Sequence, residues 1–164
     1  ILTSEKLYRF SGITDFVQLS QKQPTKIYTK SDELDSYPAF QIFEDSAENI
    51  WVSTRAGSGR NSFGRLIKGE ETFQKFTESD GKPKGKAFSS AAEDSSGNIW
   101  FSFYEGGLVR FDGKKFEEFS EKDGLPEGLL AALHIDKKGR LWIGSNRSGL
   151  VRVDDINAKT PVFN

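Results

Sequence analysis

The sequence predicts an all-β fold, a β-propeller segment of four-stranded antiparallel blades, with about three and a half blades in this chain. Three segments align without gaps, and each runs from an Asp to a Trp in six steps: Asp45–Trp51, Asp94–Trp100 and Asp136–Trp142. The chain also contains 16 Gly and 14 Phe, a composition typical of tight turns between aromatic-rich strands. A repeat of four short strands over about 40 to 45 residues is typical of a propeller blade.

A second signature follows each tryptophan and sets the length of the repeat. It reads Gly-Leu-Val-Arg at 107–110 and 149–152 and Gly-Arg-Leu-Ile at 64–67, while a related copy at 7–12 has no Trp unit before it. The last two tryptophans are 42 residues apart and the first two are 49 apart. Leu66 follows Trp51 by 15 residues, whereas Leu108 follows Trp100 by 8, which places an insertion in the Arg55–Gly64 segment. We predict one partial propeller domain over 1–164, with blades at about 1–38 (partial), 39–86, 87–128 and 129–164.

Strand signals follow one another in order within the third of these units. They predict strands at Phe88–Glu93, Ile99–Phe103, Leu108–Phe111 and Lys115–Phe119, joined by short turns rich in Gly, Asp and Asn. The second strand is apolar at consecutive positions, which indicates that both of its faces are covered by neighbouring sheets. The frequent glycines leave no room for helices of normal length, so a helical repeat is the poorer interpretation.

Charge and composition exclude several functions. The 23 Lys and Arg against 24 Asp and Glu leave a net charge of -1, without the basic field that nucleic acid or an anionic membrane surface requires. There is no cysteine, and His134 is the only histidine, so neither a thiolate or two-histidine metal site nor a catalytic triad is expected. We predict no catalytic residues, no metal and no cofactor. The three repeated Asp residues are interpreted as turn formers rather than calcium ligands.

The third unit resembles the two-component regulator propeller repeat. The similarity lies in Asp-x-x-Gly-Asn-Ile-Trp at 94–100, Gly-Gly-Leu-x-Arg-Phe-Asp-Gly at 106–113, Phe-x-x-Phe at 116–119 and Asp-Gly-Leu-Pro at 123–126. The resemblance implies a seven-bladed propeller in the periplasmic or extracellular sensor half of a bacterial hybrid two-component protein, as in the Bacteroides group. It also implies sensing of breakdown products of poly- or oligosaccharides. The second unit departs from the pattern, since Glu48 stands where the turn glycine is expected.

The candidate ligand site is predicted from the alternating direction of the strands. In an antiparallel meander, the loops between second and third strands emerge on the same face as the connections between blades. Loops that break the repeat are the better candidates for binding, because function is usually carried by such loops. The candidates are Arg55, Arg60, Tyr104 and Arg147. The arginines offer bidentate donors for a carboxylate or sulfate, and the tyrosine offers a stacking surface for a sugar.

The predicted function is a non-catalytic, ligand-binding sensor segment, with an oligosaccharide as its possible ligand. One alternative is a lyase similar to streptogramin lyase, which would need a histidine and acidic residues around a metal. The second alternative is a scaffold for protein interactions. Ile at position 1 and the absence of methionine suggest an internal piece of a longer polypeptide. Fewer than four blades cannot close a ring, so we expect a homo-oligomer or completion by the remainder of a larger propeller.

Overall fold

The computed structural model describes residues 6–13, 15–29, 39–55, 61–74 and 76–164. Their strands form four antiparallel sheets, which we call blades 1 to 4 in chain order. Blade 1 contains β1 (Leu7–Arg9) and β2 (Lys26–Tyr28); blade 2 contains β3 (Ala39–Glu44), β4 (Ile50–Thr54), β5 (Ser62–Leu66) and β6 (Phe73–Gln74). Blade 3 contains β7 (Phe88–Glu93), β8 (Ile99–Phe103), β9 (Leu108–Phe111) and β10 (Phe116–Phe119); blade 4 contains β11 (Leu130–Ile135), β12 (Leu141–Ser145) and β13 (Gly149–Val153).

Each sheet is a meander in which neighbours in sequence are neighbours in space. The predicted all-β propeller fold is confirmed by this topology. The strands predicted for blade 3 are also found, except that the last begins at Phe116, because the Lys115 N–H closes a turn on the Asp112 carboxylate at 2.8 Å. Short 3₁₀ turns occur at Phe16–Ser20, Glu78–Asp80 and Glu121–Asp123. In the described part of the chain, no helix is long and apolar enough to cross a membrane.

One aspartate organises the turn between the first and second strands of blades 2, 3 and 4. In blade 3, Asp94 Oδ1 accepts the backbone N–H groups of Ser96 and Asn98 at 2.9 and 3.0 Å. Its other oxygen, Oδ2, accepts the Asn98 side-chain amide at 2.9 Å and the indole N–H of Trp100 at 3.0 Å. A buried carboxylate with four donors is well compensated for the loss of water, so the turn and the core are fixed by one group.

The same bond recurs in the other two units. The indole N–H of Trp51 donates to Asp45 at 2.9 Å, and that of Trp142 donates to Asp136 at 2.9 Å. In blade 4 the indole and the Arg140 guanidinium hold the pKa of Asp136 well below its usual range. Six residues is therefore the distance at which a carboxylate in the turn meets a tryptophan on the following strand.

Blades 2, 3 and 4 stack in chain order, and the same face of a blade points toward the next blade each time. We call the sheet face that carries the repeated Trp the tryptophan face of its blade. Trp51 lies against blade 3, with its ring centroid 5.1 Å from that of Phe101 and 5.3 Å from that of Phe111. Trp100 belongs to a cluster with Leu141 and Ile143 of blade 4. The tryptophan faces of blades 2 and 3 thus each pack on the opposite face of the next blade, which explains why Trp51 and Trp100 are fully buried.

The two ends of the stack differ from its interior. Trp142 of blade 4 is only half buried, and Leu150 on the adjacent strand is 62% exposed. At the other end, blade 1 packs Leu7 and Tyr28 into a cluster with Val52 of blade 2. Backbone bonds of 2.9 and 3.0 Å between Arg152 and Asn164 add a short outer segment to blade 4.

An arginine on the third strand covers the tryptophan on the second strand in blades 2, 3 and 4. The paired positions are Trp51 with Arg65, Trp100 with Arg110 and Trp142 with Arg152. The guanidinium carbon lies 5.1, 5.5 and 5.7 Å from the respective ring centroids. These cation–π contacts occupy the repeated arginines within the scaffold.

Candidate functional site

The loops between second and third strands lie on the same face as the connections between blades, as the meander requires. Asn61 Nδ2, at the end of the blade 2 loop, donates to Glu105 Oε1 of the blade 3 loop at 2.5 Å. Glu105 Oε2 accepts the backbone N–H of Ala87, in the connection to blade 3, at 3.3 Å. We call this surface the loop face. On the loop face, the Glu105 carboxylate connects blades 2 and 3, because it bonds to Asn61, which lies about one repeat earlier in the sequence.

The loop face contains a cluster of one cation and two aromatic rings. The guanidinium carbon of Arg55 lies 5.0 Å from the ring centroid of Tyr104. The Phe40 ring meets the Tyr104 ring edge-on, with centroids 5.1 Å apart and an interplanar angle of 78°. Arg55 is exposed, Tyr104 is half buried and Phe40 is 41% exposed. We call these three residues the Arg55–Tyr104–Phe40 cluster.

Local structure explains why these side chains meet. Phe40 is the second residue of β3, the innermost strand of blade 2, and Arg55 directly follows β4 of the same blade. Tyr104 directly follows β8 of blade 3, and its backbone N–H bonds to the Ala87 carbonyl at 3.4 Å. The cluster therefore bridges the inner ends of two blades, where a ligand on the loop face would contact both.

The structure brings together two of the four predicted site residues. Arg55 and Tyr104 are in contact, whereas Arg60 lies outside the described residues. Arg147 lies on the blade 4 loop, where its backbone N–H bonds to Ser145 Oγ at 3.3 Å and its side chain lies beside Gly128. Within the residues the structure describes, no ring contact or hydrogen bond links Arg147 to Tyr104. The role of all four in binding stays a prediction.

Phe40 was missed by the sequence reasoning, although a signal for it existed. The positions aligned with it in the other blades hold Ser89 and Ala131. A large aromatic residue at a position that is otherwise small breaks the repeat in the same way as the predicted loop residues do. The prediction considered loops only, whereas Phe40 lies within a strand.

A second concavity lies on the loop face near the outer part of blade 3. It is a groove of about 250 Å³ lined by both acidic and basic side chains, including Lys86, Glu105, Glu118 and Lys122. Lys86 forms an ion pair with Glu118, and its Nζ lies 5.6 Å from the ring centroid of Phe103. Because Lys86 is held by these contacts, the groove offers a weaker anion site than the exposed Arg55.

The described residues offer little acid–base or metal chemistry. Among them, no group of three or more His, Cys, Asp or Glu is arranged to hold a metal ion. His134 is exposed on β11, opposite Trp142 in the pairing with β12. The cluster of Arg55, Tyr104 and Phe40 can bind an anion and stack on an apolar ring face, and both are functions of recognition.

The comparisons with known proteins agree with the predicted repeat. Residues 124–147 match the family model of the two-component regulator propeller, which confirms the resemblance predicted from the sequence. The matched segment begins within the Asp-Gly-Leu-Pro motif and includes the Asp136–Trp142 unit. No curated protein matches the chain.

Ten chains of solved structures match the fold. One is the extracellular domain of a hybrid two-component system from B. thetaiotaomicron, with a TM-score of 0.60 and 19% sequence identity. The match covers 76% of this chain and 17% of that one, so the chain spans about a sixth of the length of this neighbour.

Proposed function

We propose that this chain, with its two-component regulator propeller repeat at residues 124–147, is a propeller segment in the extracellular or periplasmic sensor region of a bacterial signalling protein. The similarity of fold to the extracellular domain of a hybrid two-component system supports the proposal. In this role the segment binds a ligand without transforming it.

The Arg55–Tyr104–Phe40 cluster is the observation that carries the binding role. It places an exposed guanidinium next to two aromatic rings at the junction of blades 2 and 3. Aromatic faces pack against the apolar C–H faces of sugars, and guanidinium groups bind carboxylate or sulfate with two parallel hydrogen bonds. An acidic oligosaccharide presents both chemical features. We therefore propose an oligosaccharide with carboxylate or sulfate groups as the ligand, with Arg60 and Arg147 as additional contacts.

A binding role fits this site better than catalysis. The lyase alternative needs a histidine with acidic residues, yet His134 is the only histidine and lies on blade 4, away from the cluster. Measuring turnover with and without EDTA would distinguish the lyase from a binding protein. The scaffold alternative is tested by the ligand titrations below, because a pure scaffold would bind no sugar.

Ala substitution within the cluster is expected to weaken binding without unfolding the protein. Arg55→Ala and Phe40→Ala should each reduce affinity for an acidic oligosaccharide by about 1 to 3 kcal/mol, the range for hydrogen bonds to charged groups and for aromatic contacts. Because both side chains are exposed, each variant should keep its free energy of unfolding within about 0.5 kcal/mol. Isothermal titration calorimetry and urea denaturation measure the two quantities. Tyr104→Ala, Arg60→Ala and Arg147→Ala extend the series.

Lys114→Ala, in the turn on the opposite face, is the matched control, and it should bind like the wild type. A neutral oligosaccharide of equal length separates the two contributions, because it should be insensitive to Arg55→Ala and sensitive to Phe40→Ala. The proposed site is wrong if cluster variants bind normally while substitutions in the opposite turns abolish binding.

We further propose that the exposed tryptophan face of blade 4 makes this chain self-associate at micromolar concentration. Leu150 is 62% exposed beside a half-buried Trp142, and an apolar surface of this kind is typical of interfaces. Leu150→Arg should weaken association at least about tenfold in sedimentation equilibrium, which corresponds to about 1.4 kcal/mol. Val17→Arg is the control, since Val17 is also exposed, at 66%, but lies in the 3₁₀ turn between β1 and β2. A wild-type chain that stays monomeric would contradict this proposal.

A further inference from the structure

A groove of about 380 Å³ lies between blade 1 and the inner strands of blade 2. Residues of β1 line one wall, and Ile42, Glu44 and Ile50 line the other. In blades 2 and 3, the third strand lies between the second and the fourth. The strand β1 pairs with β2, and none of the other described strands pairs with it.

Blade 1 corresponds to the outer half of a blade. Leu7 and Arg9 of β1 align with Leu108 and Arg110 of the third strand of blade 3. Leu7 packs with Val52 of blade 2, as Leu108 packs in the cluster between blades 3 and 4. The groove therefore lies where the first and second strands of a complete blade would be.

The wall formed by blade 2 has the residues that such strands contact elsewhere. Ile42 is 45% exposed. The residue aligned with it in blade 3, Ala91, packs against the cluster that contains Trp51 of the preceding blade. Leu133 in blade 4 packs in the same way against the cluster that contains Trp100. In the two interior interfaces, the residues equivalent to Ile42 pack against the tryptophan face of the preceding blade. The exposed side chain of Ile42 is therefore in position to pack against such a face.

Glu44 gives a second, polar correspondence. Its equivalent in blade 3, Glu93, accepts both the backbone N–H and the side-chain O–H of Ser46, at 2.6 Å each. Ser46 lies in the turn of the preceding blade, directly after the aspartate that bonds the tryptophan. Glu44 is exposed and lines the groove, so the same acceptor is presented to a turn of this type.

We propose that this groove binds a β-hairpin of the repeat's own type, with the sequence pattern Asp-Ser-x-Gly-Asn-Ile-Trp at its turn and second strand. The second strand adds antiparallel to β1, as an extended peptide adds to the edge of a sheet. The turn serine reaches Glu44, and the tryptophan packs on Ile42. The inference concerns assembly of the fold and does not depend on the proposed sugar-binding function.

The register of the added strand follows from the other blades. A tryptophan of the second strand pairs with an arginine of the third in blades 2, 3 and 4. The tryptophan of the added hairpin therefore lies opposite Arg9 and beneath its guanidinium. Burying an indole and the other apolar residues of the second strand on Ile42 and Ile50 supplies the binding free energy.

A labelled peptide with the sequence of residues 87–104 provides the test, because it contains a complete hairpin of this pattern. We expect saturable binding to the intact chain in fluorescence anisotropy. The same peptide with Trp100→Ala should bind at least about tenfold more weakly, a loss of about 1.4 kcal/mol. Ile42→Arg in the chain should have a similar effect, whereas Val17→Arg, at an exposed apolar position outside the groove, should have none.

A charge reversal tests the register independently of Ile42. Glu44→Lys in the chain should weaken binding of the original peptide, and a peptide with Ser95→Glu should restore it, since Ser95 aligns with Ser46. A photoreactive tryptophan analogue at position 100 of the peptide, which keeps the indole ring, should cross-link to segments that contain Arg9 or Ile42. The proposal is overturned if binding is absent, if Ile42→Arg and Val17→Arg behave alike, or if the cross-link forms elsewhere.

Discussion

Trp100→Ala is expected to lower the free energy of unfolding by roughly 3 to 5 kcal/mol, the range for truncating a large aromatic residue in a core. The side chain is fully buried, its ring stacks on Phe119 with centroids 5.7 Å apart, and it packs against blade 4. A loss of this size is a large fraction of the roughly 5 to 15 kcal/mol by which a domain is stable, so we expect the midpoint of urea unfolding to fall sharply. Urea denaturation followed by circular dichroism measures it.

Trp142→Ala is the matched control for this prediction. Trp142 occupies the equivalent position and makes the same bond to its aspartate, but it is half buried and has no further blade against it among the described residues. We expect it to cost about half as much, since less apolar surface is lost. Equal costs for the two substitutions would show that packing between blades contributes little. A stable Trp100→Ala protein that has lost ligand binding would reverse the structural assignment of this residue.

Asp94→Ala is expected to destabilise the protein by about 2 to 4 kcal/mol, because buried donors that lose their acceptor cost about 1 to 3 kcal/mol each and part of this loss is relieved by relaxation. The carboxylate accepts two backbone N–H groups, the Asn98 amide and the Trp100 indole. The indole and its surroundings have no access to water. Thermal and urea denaturation should both report the loss.

Asp112→Ala separates the core contribution from simple turn formation. Asp112 also accepts two backbone N–H groups, from Lys114 and Lys115 at 2.9 and 2.8 Å, but it is exposed and contacts no tryptophan. Water can replace its bonds, so we expect a loss of about 1 kcal/mol or less. A similar loss in both variants would mean that the indole bond adds no stability beyond the turn.

The scaffold could be predicted from the sequence because strand and turn signals recur at the same spacing in each repeat. Strand β8 was predicted at its observed bounds, since its apolar run is flanked by two turn motifs. The repeated aspartates were predicted as turn formers. The bonds from backbone N–H groups of the turn to Asp94 agree with this prediction. The bond between aspartate and tryptophan was not predicted, although the constant separation of six residues was visible. A spacing gives distance along the chain, whereas this bond depends on how the turn directs a carboxylate into the core.

The candidate site was less predictable because it is formed between blades. The alternating direction of the strands predicted that Arg55 and Tyr104 lie on the same face of the propeller. Their contact, however, depends on the angle between neighbouring sheets. That angle also brings Phe40 of the innermost strand against Tyr104 and leaves Arg147 outside the cluster. Local periodicity contains no information about the radial arrangement, so a site composed of two blades can be only partly predicted from one sequence.

The three tryptophans differ in burial, so their intrinsic fluorescence can report on the packing of blade 4. The indoles of Trp51 and Trp100 are buried away from solvent, while that of Trp142 is partly exposed at the end of the stack. Quenching by acrylamide should therefore act mainly on Trp142. Covering blade 4 with another sheet should protect this indole and shift its emission to shorter wavelengths. Completion of the ring could thus be followed in real time without a label.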